Sequence, residues 1–322
     1  MTADSTTGQG AGKIPVGLTS AANRARAARH DFAQRIRRGD RLIVPGVSNA
    51  LTARLVERAD FTACYATGAG IANVEFGLPD IGLIGLSEVA EQVRRICDAV
   101  TLPVVVDADT GYGGPLSVMR TVSMLEAAGA AAIQIEDQTM PKSCGHFDSH
   151  EIIESWEMQA KIDAAVNARG SDDLLVIART DAIGVLGLEE AISRGHAFLA
   201  AGADMLFIEA PTDVEQLRRI GAEFAGVPLV ANVVEGGRTP QLSAAELFDL
   251  GFTFILFANF LMRVMARAGI DALKSLRTLG DTRALSDSML SWPERQNLVG
   301  LSRFRMLDRD YASREFRDGH SG

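Results

Sequence analysis

The chain has 322 residues, 47% hydrophobic and 23% charged, with a formal net charge of -9. That length allows one barrel or two domains around a large core, and the balance is that of a folded globular protein. The acidic charge, with no basic patch to offset it, excludes nucleic acid and anionic membrane as main partners.

Met1 to Gly12 are small and polar. Residues 1–20 are predicted to be a disordered N-terminal tail, with a single domain over residues 21–322. Ala21 to Arg38 is rich in Ala and Arg and lacks the apolar segment of a secretory signal. It reads as a helix packed on the domain, with a transit peptide as the competing reading. No apolar run reaches membrane-spanning length. Three cysteines, Cys64, Cys97 and Cys144, give neither a paired framework nor metal spacing, so a reduced cytoplasm is expected.

Short Val- and Ile-rich runs then alternate with amphipathic stretches. The predicted strands are Leu42–Val44, Ala63–Ala66, Val104–Asp107, Ala132–Ile135, Leu174–Ala178, Met205–Ile208, Leu229–Ala231 and Thr253–Phe257. The predicted helices include Ser87–Ala99, Pro115–Ala128, Trp156–Ala168, Leu188–Ala200 and Ser243–Leu250. Gly129, Gly202 and Gly251 stand just before strands, where a left-handed cap turns the chain back. Eight strands in βα alternation predict an α/β fold, a closed (β/α)8 TIM-type barrel with extra C-terminal helices. An open doubly wound sheet is the runner-up, weakened by the lack of a glycine-rich fingerprint after the first strand.

Polar groups follow the strands in turn: Pro45-Gly46, Thr67-Gly68, Asp107 and Asp109, Glu136 and Asp137, Arg179 and Asp181, Glu209, Asn232, Asn259. In a barrel these ends converge on one mouth, where active sites sit. Carboxylates gathered there suit a hard divalent cation, with Asp107 and Asp109 the best candidates. The alternative is that Asp109 and Thr110 only cap a turn. Cys144 lies in a loop with Lys142, Gly145 and His146, surroundings that lower a thiol pKa, whereas Cys64 and Cys97 read as small buried hydrophobes. His146 and His150 are spaced as a zinc pair, but no Glu follows the first and a helix is doubtful there. Arg179 reads as a bidentate carboxylate clamp or as a structural ion pair, and both hold together.

Asp107-Ala-Asp-Thr-Gly-Tyr-Gly-Gly114, Glu136-Asp-Gln138, Lys142-Ser-Cys-Gly-His146, Ala178-Arg-Thr-Asp181, Glu209-Ala-Pro211 and Asn232-Val-Val-Glu-Gly-Gly-Arg-Thr-Pro240 together resemble the isocitrate lyase/phosphoenolpyruvate mutase superfamily. The resemblance also rests on Tyr65–Gly70 and Leu78–Gly82 and runs roughly from Arg35 to Arg295. The Cys-Gly-His loop resembles that of the methylisocitrate lyase and dimethylmalate lyase branch, and also that of carboxyphosphonoenolpyruvate phosphonomutase; a phosphonopyruvate-forming mutase normally has Asn at the Cys position. Ser143 departs from the Lys or Arg common in the lyases. The long insertions of true isocitrate lyases are missing.

The resemblance implies a Mg2+-dependent (or Mn2+-dependent) carbon–carbon lyase acting on a small anionic substrate, a 2-hydroxy di- or tricarboxylate. It implies Asp109 as the direct metal ligand, with Asp80, Asp107 and Glu136 around metal-bound waters. Cys144 is then the acid that protonates the leaving enolate. Lys142, His146, Arg179 and Glu136 complete the catalytic set. Tyr65, Thr67, Gly68, Ala69, Gly145, Glu209 and Asn232 form the substrate pocket, with Arg263 and Arg295 as weaker candidates for a distal carboxylate. Tyr65, or a water on Glu136 or Asp80, is a conjectured base. A homotetramer with a swapped late helix is implied as well. Carboxyphosphonoenolpyruvate phosphonomutase, oxaloacetate hydrolase and a non-catalytic carboxylate-binding barrel are the alternatives.

Overall fold

The computed structural model describes residues 21–142 and 151–318. Eight strands run in order around a closed, all-parallel barrel. They are β1 (Leu42–Val47), β2 (Cys64–Ala66), β3 (Val104–Asp107), β4 (Ala132–Glu136), β5 (Leu175–Thr180), β6 (Met205–Ile208), β7 (Leu229–Asn232) and β8 (Phe254–Phe257). Pairing of Leu42 with Phe254 and of Val44 with Leu256 closes the ring. An open sheet is thereby ruled out.

Helix α1 (Ala21–Arg37) precedes the barrel and α2 (Ala50–Arg58) follows β1. The next are the single turn α3 (Gly68–Ile71), α4 (Leu86–Ala99), α5 (Pro115–Ala128), α6 (Ser155–Ala168), α7 (Ile183–Leu186), α8 (Leu188–Ala200), α9 (Val214–Glu223) and α10 (Ala244–Asp249). After β8 come α11 (Phe260–Leu279), α12 (Trp292–Leu298) and α13 (Leu301–Asp318). Pro at the start of α5 suits a position whose N–H has no helical partner, and Gly129 ends the helix at φ 108°.

Side-chain alternation along each strand determines where chemistry can sit. Leu42, Val44, Tyr65, Val105, Ala132, Leu175, Ile177, Met205, Phe207, Val230, Phe254 and Leu256 form the barrel interior. The intervening residues, such as Val104, Val106, Ile133, Val176 and Leu206, face the helices in two further clusters. Helix α1 plugs the N-terminal end, with Phe32 edge-on to Phe254 at 6.4 Å between centroids. The predicted helix before the barrel therefore packs on it. Continuing the inward positions toward the C-terminal end gives Thr67, Asp107, Glu136, Arg179, Glu209 and Asn232, so the apolar floor changes to a polar mouth.

Pro45 and Gly46, expected to follow the first strand, lie within β1. Glycine is required because a Cβ at position 46 would stand 1.8 Å from the Ala258 carbonyl oxygen. Gly46→Ala should therefore destabilise the protein by about 1–3 kcal/mol or more through overpacking. Chemical denaturation should show a lower midpoint; an unchanged midpoint would mean that β1 and the chain after β8 lie further apart.

Candidate active site

Two buried cations organise the mouth. Lys142 Nζ lies 2.5 Å from Asp80 Oδ1 and 2.7 Å from Asp109 Oδ1, with only 5% of its side chain exposed. Arg179, at the inward end of β5, donates through Nε and Nη2 to both oxygens of Asp181 at 3.0 and 2.8 Å. Its Nε is also 3.3 Å from Glu136 Oε2, and the guanidinium lies over the Phe207 ring at 5.1 Å. Burial opposes the charge on both cations. Asp109, Asp107, Glu136 and Asp80 nonetheless raise the Lys142 pKa, and Asp181, Glu136 and Glu209 raise that of Arg179. Lys142 is therefore a fixed positive charge rather than a neutral base.

The carboxylates outnumber these cations. Burial pushes Asp109 up to about 6, with Lys142 opposing and Asp107 adding to the shift. Burial also drives Glu136 well above the usual carboxylate range, against the attraction of Arg179. Glu136 Oε1 is buried and accepts no hydrogen bond, whereas Asp109 Oδ1 is met by the Lys142 ammonium at 2.7 Å. Glu136 thus holds acceptor capacity that the described residues leave unused.

The loop carrying Asp107 and Asp109 is held from several sides. Asp107 Oδ2 accepts from the Gly68 N–H at 3.2 Å, and Oδ1 accepts from the Asp109 N–H at 3.2 Å and Gln134 Nε2 at 3.4 Å. The Glu136 N–H donates to the Asp109 carbonyl at 2.9 Å. Buried Lys161 donates to the Thr110 carbonyl at 3.0 Å, and Thr121 to that of Gly111. Asp109 and Tyr112 sit at φ 47° and 58°, a left-handed region that side chains other than glycine rarely adopt. Ala210, after β6, does so at 57°.

Tyr65, Thr67, Ala69, Asp80, Asp107, Glu136, Lys142, Arg179, Glu209 and Asn232 line one mouth cavity of about 60 Å³. Larger hollows of about 480 and 490 Å³ lie at the barrel base and beside α11. The first is flanked by arginines already tied to surface acids and the second is apolar, so neither gathers reactive groups. Gly68 faces the Asp107–Asp109 pair, with a Cβ there only 3.1 Å from Asp107 Oδ2. Asn232 donates to Glu209 Oε1 at 3.2 Å.

Several expectations need correction. Of the pocket residues Thr67, Gly68 and Ala69, the first two have N–H groups that already donate, to the Val47 carbonyl and to Asp107. Tyr65, conjectured as a base, donates its hydroxyl to Gln134 Oε1 at 2.9 Å, and burial raises its pKa well above the usual phenol value. Arg263 is not in the cavity: it stands on α11, half exposed, donating to Glu235. Arg295 stands on α12 with its guanidinium 3.9 Å above Trp292. Cys144, Gly145 and His146 lie outside the described residues, as do Ser143, His150 and the predicted tail. Cys64 and Cys97 are held protonated by burial, Cys97 at about 12, as hydrophobic residues rather than reactive thiols.

Gln134 was missed by sequence reasoning. It is a fully buried amide on the inward side of β4 that links the Tyr65 hydroxyl to Asp107. Its signal was a polar side chain on the inward alternation of an apolar strand.

Fold and mouth together define a (β/α)8-barrel enzyme. Residues 32–277 match the phosphoenolpyruvate phosphomutase family model, and the chain belongs to that family. It is 41% identical to 2,3-dimethylmalate lyase of Eubacterium barkeri over 84% of this chain and 94% of that one. It is likewise 41% identical to 2-methylisocitrate lyase of Aeropyrum pernix, over 85% and 87%. The crystal structure of oxaloacetate acetylhydrolase with 3,3-difluorooxalacetate superposes with TM-score 0.84 at 30% identity, covering 88% of this chain and 97% of that one.

Gln134→Leu should cost about 1–3 kcal/mol, because the Tyr65 hydroxyl loses its buried acceptor. Adding Tyr65→Phe should recover part of the loss, measured by a double-mutant denaturation cycle; strictly additive losses would contradict the linkage.

The raised Asp109 pKa has a definite stability sign. Its unfolded value is near 3.8 and its folded value about 6, so the folded protein binds the extra proton. In EDTA, stability should fall as pH rises from about 4 to about 6. Asp109→Asn should shrink that fall; an unchanged slope would overturn the assignment.

Proposed function

We propose that the protein is a divalent-metal-dependent carbon–carbon lyase that cleaves a 2-hydroxy di- or tricarboxylate of the 2,3-dimethylmalate or 2-methylisocitrate kind. The observation that carries the reading is the mouth itself: one guanidinium faces a cavity on which Asp80, Asp107, Glu136 and Glu209 converge, with Glu136 keeping an oxygen that accepts no hydrogen bond. Two lyase relatives at 41% identity support the same class.

The residues present fit a hard cation. Among the described residues no three His, Cys, Asp or Glu side chains converge to bind an ion on their own. Magnesium does not need them to, since it commonly takes one or two carboxylates and keeps its waters. Asp109 would bind it directly, with Asp80, Asp107 and Glu136 around its waters. When bound, magnesium, or manganese in its place, supplies Lewis-acid polarisation of the substrate's carboxylate and hydroxyl oxygens.

The chain's own groups account for the rest. Arg179 holds a substrate carboxylate or the charge that develops on it, prepaid by its fixed pairing with Asp181. Glu209 and Asn232 orient the opposite side of the substrate. Lys142 adds the positive charge that lets an anion approach an acidic mouth. A water held by Glu136 or Asp80 takes the hydroxyl proton, and the C2–O bond becomes a carbonyl as C2–C3 breaks. The electron pair leaves on C3 as an enolate, and the Cys144 thiol gives it a proton. The products are a 2-oxo acid and a second carboxylate. Cys144, Gly145 and His146 enter this scheme on the sequence motif alone.

Hydrolysis of oxaloacetate is the second reading, favoured by the likeness to oxaloacetate acetylhydrolase. We also assign one domain over residues 21–322, a cytoplasmic setting and a homotetramer. No helix among the described residues is long and apolar enough to cross a membrane. Met289, Leu290, Trp292 and Phe304 are exposed apolar residues that an assembly would cover.

A substrate panel with magnesium tests the reading. Pyruvate should appear from 2,3-dimethylmalate or 2-methylisocitrate, cease in EDTA, and fall at least a hundredfold in Cys144→Ser. Consumption of oxaloacetate alone would install the second reading. No cleavage of any member, with a phosphonate formed instead, would overturn both.

A further inference from the structure

Behind the mouth lies a buried ion pair that touches no part of the cavity. Asp137, the residue after β4, is fully buried, and so is Arg194 on α8. Arg194 Nη1 donates to Asp137 Oδ2 at 3.0 Å and to the Ile153 carbonyl at 2.8 Å, while its Nε donates to Glu190 at 3.0 Å. Asp137 spends its remaining capacity on the end of β5. Its Oδ2 accepts from Thr180 Oγ1 at 2.7 Å and its Oδ1 from the Asp181 N–H at 2.9 Å. Thr180 Oγ1 in turn accepts from the Ala182 N–H at 3.2 Å.

These bonds fix the backbone at Thr180–Ala182, and with it the direction of the Asp181 carboxylate. That carboxylate is the bidentate partner of Arg179. A bidentate pair tolerates little rotation, so a shift of the Asp181 backbone would be passed to the guanidinium. A buried pair of this kind adds little net stability, because desolvation offsets the attraction. Its persistence in a helix-facing layer calls for another role.

We infer that Arg194 and Asp137 are positioning residues, a buried strut that aims Arg179 into the mouth through Thr180 and Asp181. The geometric part stands alone; the kinetic consequence rests on the proposed lyase reading.

Crystal structures of Arg194→Met and Asp137→Asn test the geometry. The expected result is loss of the bidentate Arg179–Asp181 contact in both. An unmoved Arg179 would overturn the inference, whatever the activity. Should Arg194→Met fail to fold, Arg194→Lys, which keeps the charge but not the fork, serves in its place.

Kinetics then test the consequence. Each variant should lose at least tenfold in kcat/KM, with Arg194→Lys losing less. In an Arg179→Lys background the same changes should cost under threefold, because the group they aim is already altered. Leu247→Ala, a core truncation on α10 that removes none of the strut's hydrogen bonds, should lower Tm while leaving kcat/KM within twofold. Multiplicative losses in the double variants, or an equal loss in Leu247→Ala, would reduce the pair to plain stabilisation. Absence of turnover in the unmodified protein would defeat the lyase reading and leave the crystallographic result to decide the strut.

Discussion

The mouth is governed by charge held out of water. Asp80, Asp107, Asp109, Glu136, Asp181 and Glu209 meet there, with Lys142 and Arg179 as the cations among the described residues. Each carboxylate buried without full compensation raises the free energy of its ionised form. The upward shifts of Asp109 and Glu136 express that excess. A protein gains nothing in stability from such a cluster. Such an excess of acidic groups fits the proposed binding of a cation together with an anionic substrate.

The barrel makes this arrangement affordable. Strand alternation puts a continuous apolar interior under the mouth and a second apolar layer between strands and helices. The positive φ angles at Asp109, Tyr112 and Ala210 lie at the same end of the barrel. Strain of this kind persists only where surrounding contacts over-determine it. Here Gly68, Gln134, Lys161, Thr121 and the backbone of β4 supply those contacts. The acidic loop is thereby held in place by the chain's own bonds.

Much of the frame was legible in the sequence for a physical reason. Parallel strands buried on both faces must be apolar runs, and Val104–Asp107 and Met205–Ile208 were read to the residue. Pro115–Ala128 and Leu188–Ala200 were bounded by proline and glycine signals as they are in the structure. Pro45 and Gly46 were misread because loop-forming residues ordinarily mark loops, and the carbonyl that demands glycine is 212 residues away in the chain, at Ala258. Helices α2 and α9 were not singled out. The side chains that line the mouth were found by type and order, but not their pairings. The Gln134 bridge, the closure of Thr67 and Gly68 N–H groups and the Arg194–Asp137 contact all join distant segments that no local pattern connects. Arg263 and Arg295 failed to reach the cavity because α11 and α12 run outside the barrel.

A structure determined from crystals grown with manganese, using anomalous scattering to locate the ion, addresses the central claim most directly. The account predicts one manganese ion at the mouth in contact with the Asp109 carboxylate, with Asp80, Asp107 and Glu136 around it. An unoccupied mouth at saturating manganese, with Lys142 still bonded to Asp80 and Asp109, would contradict it.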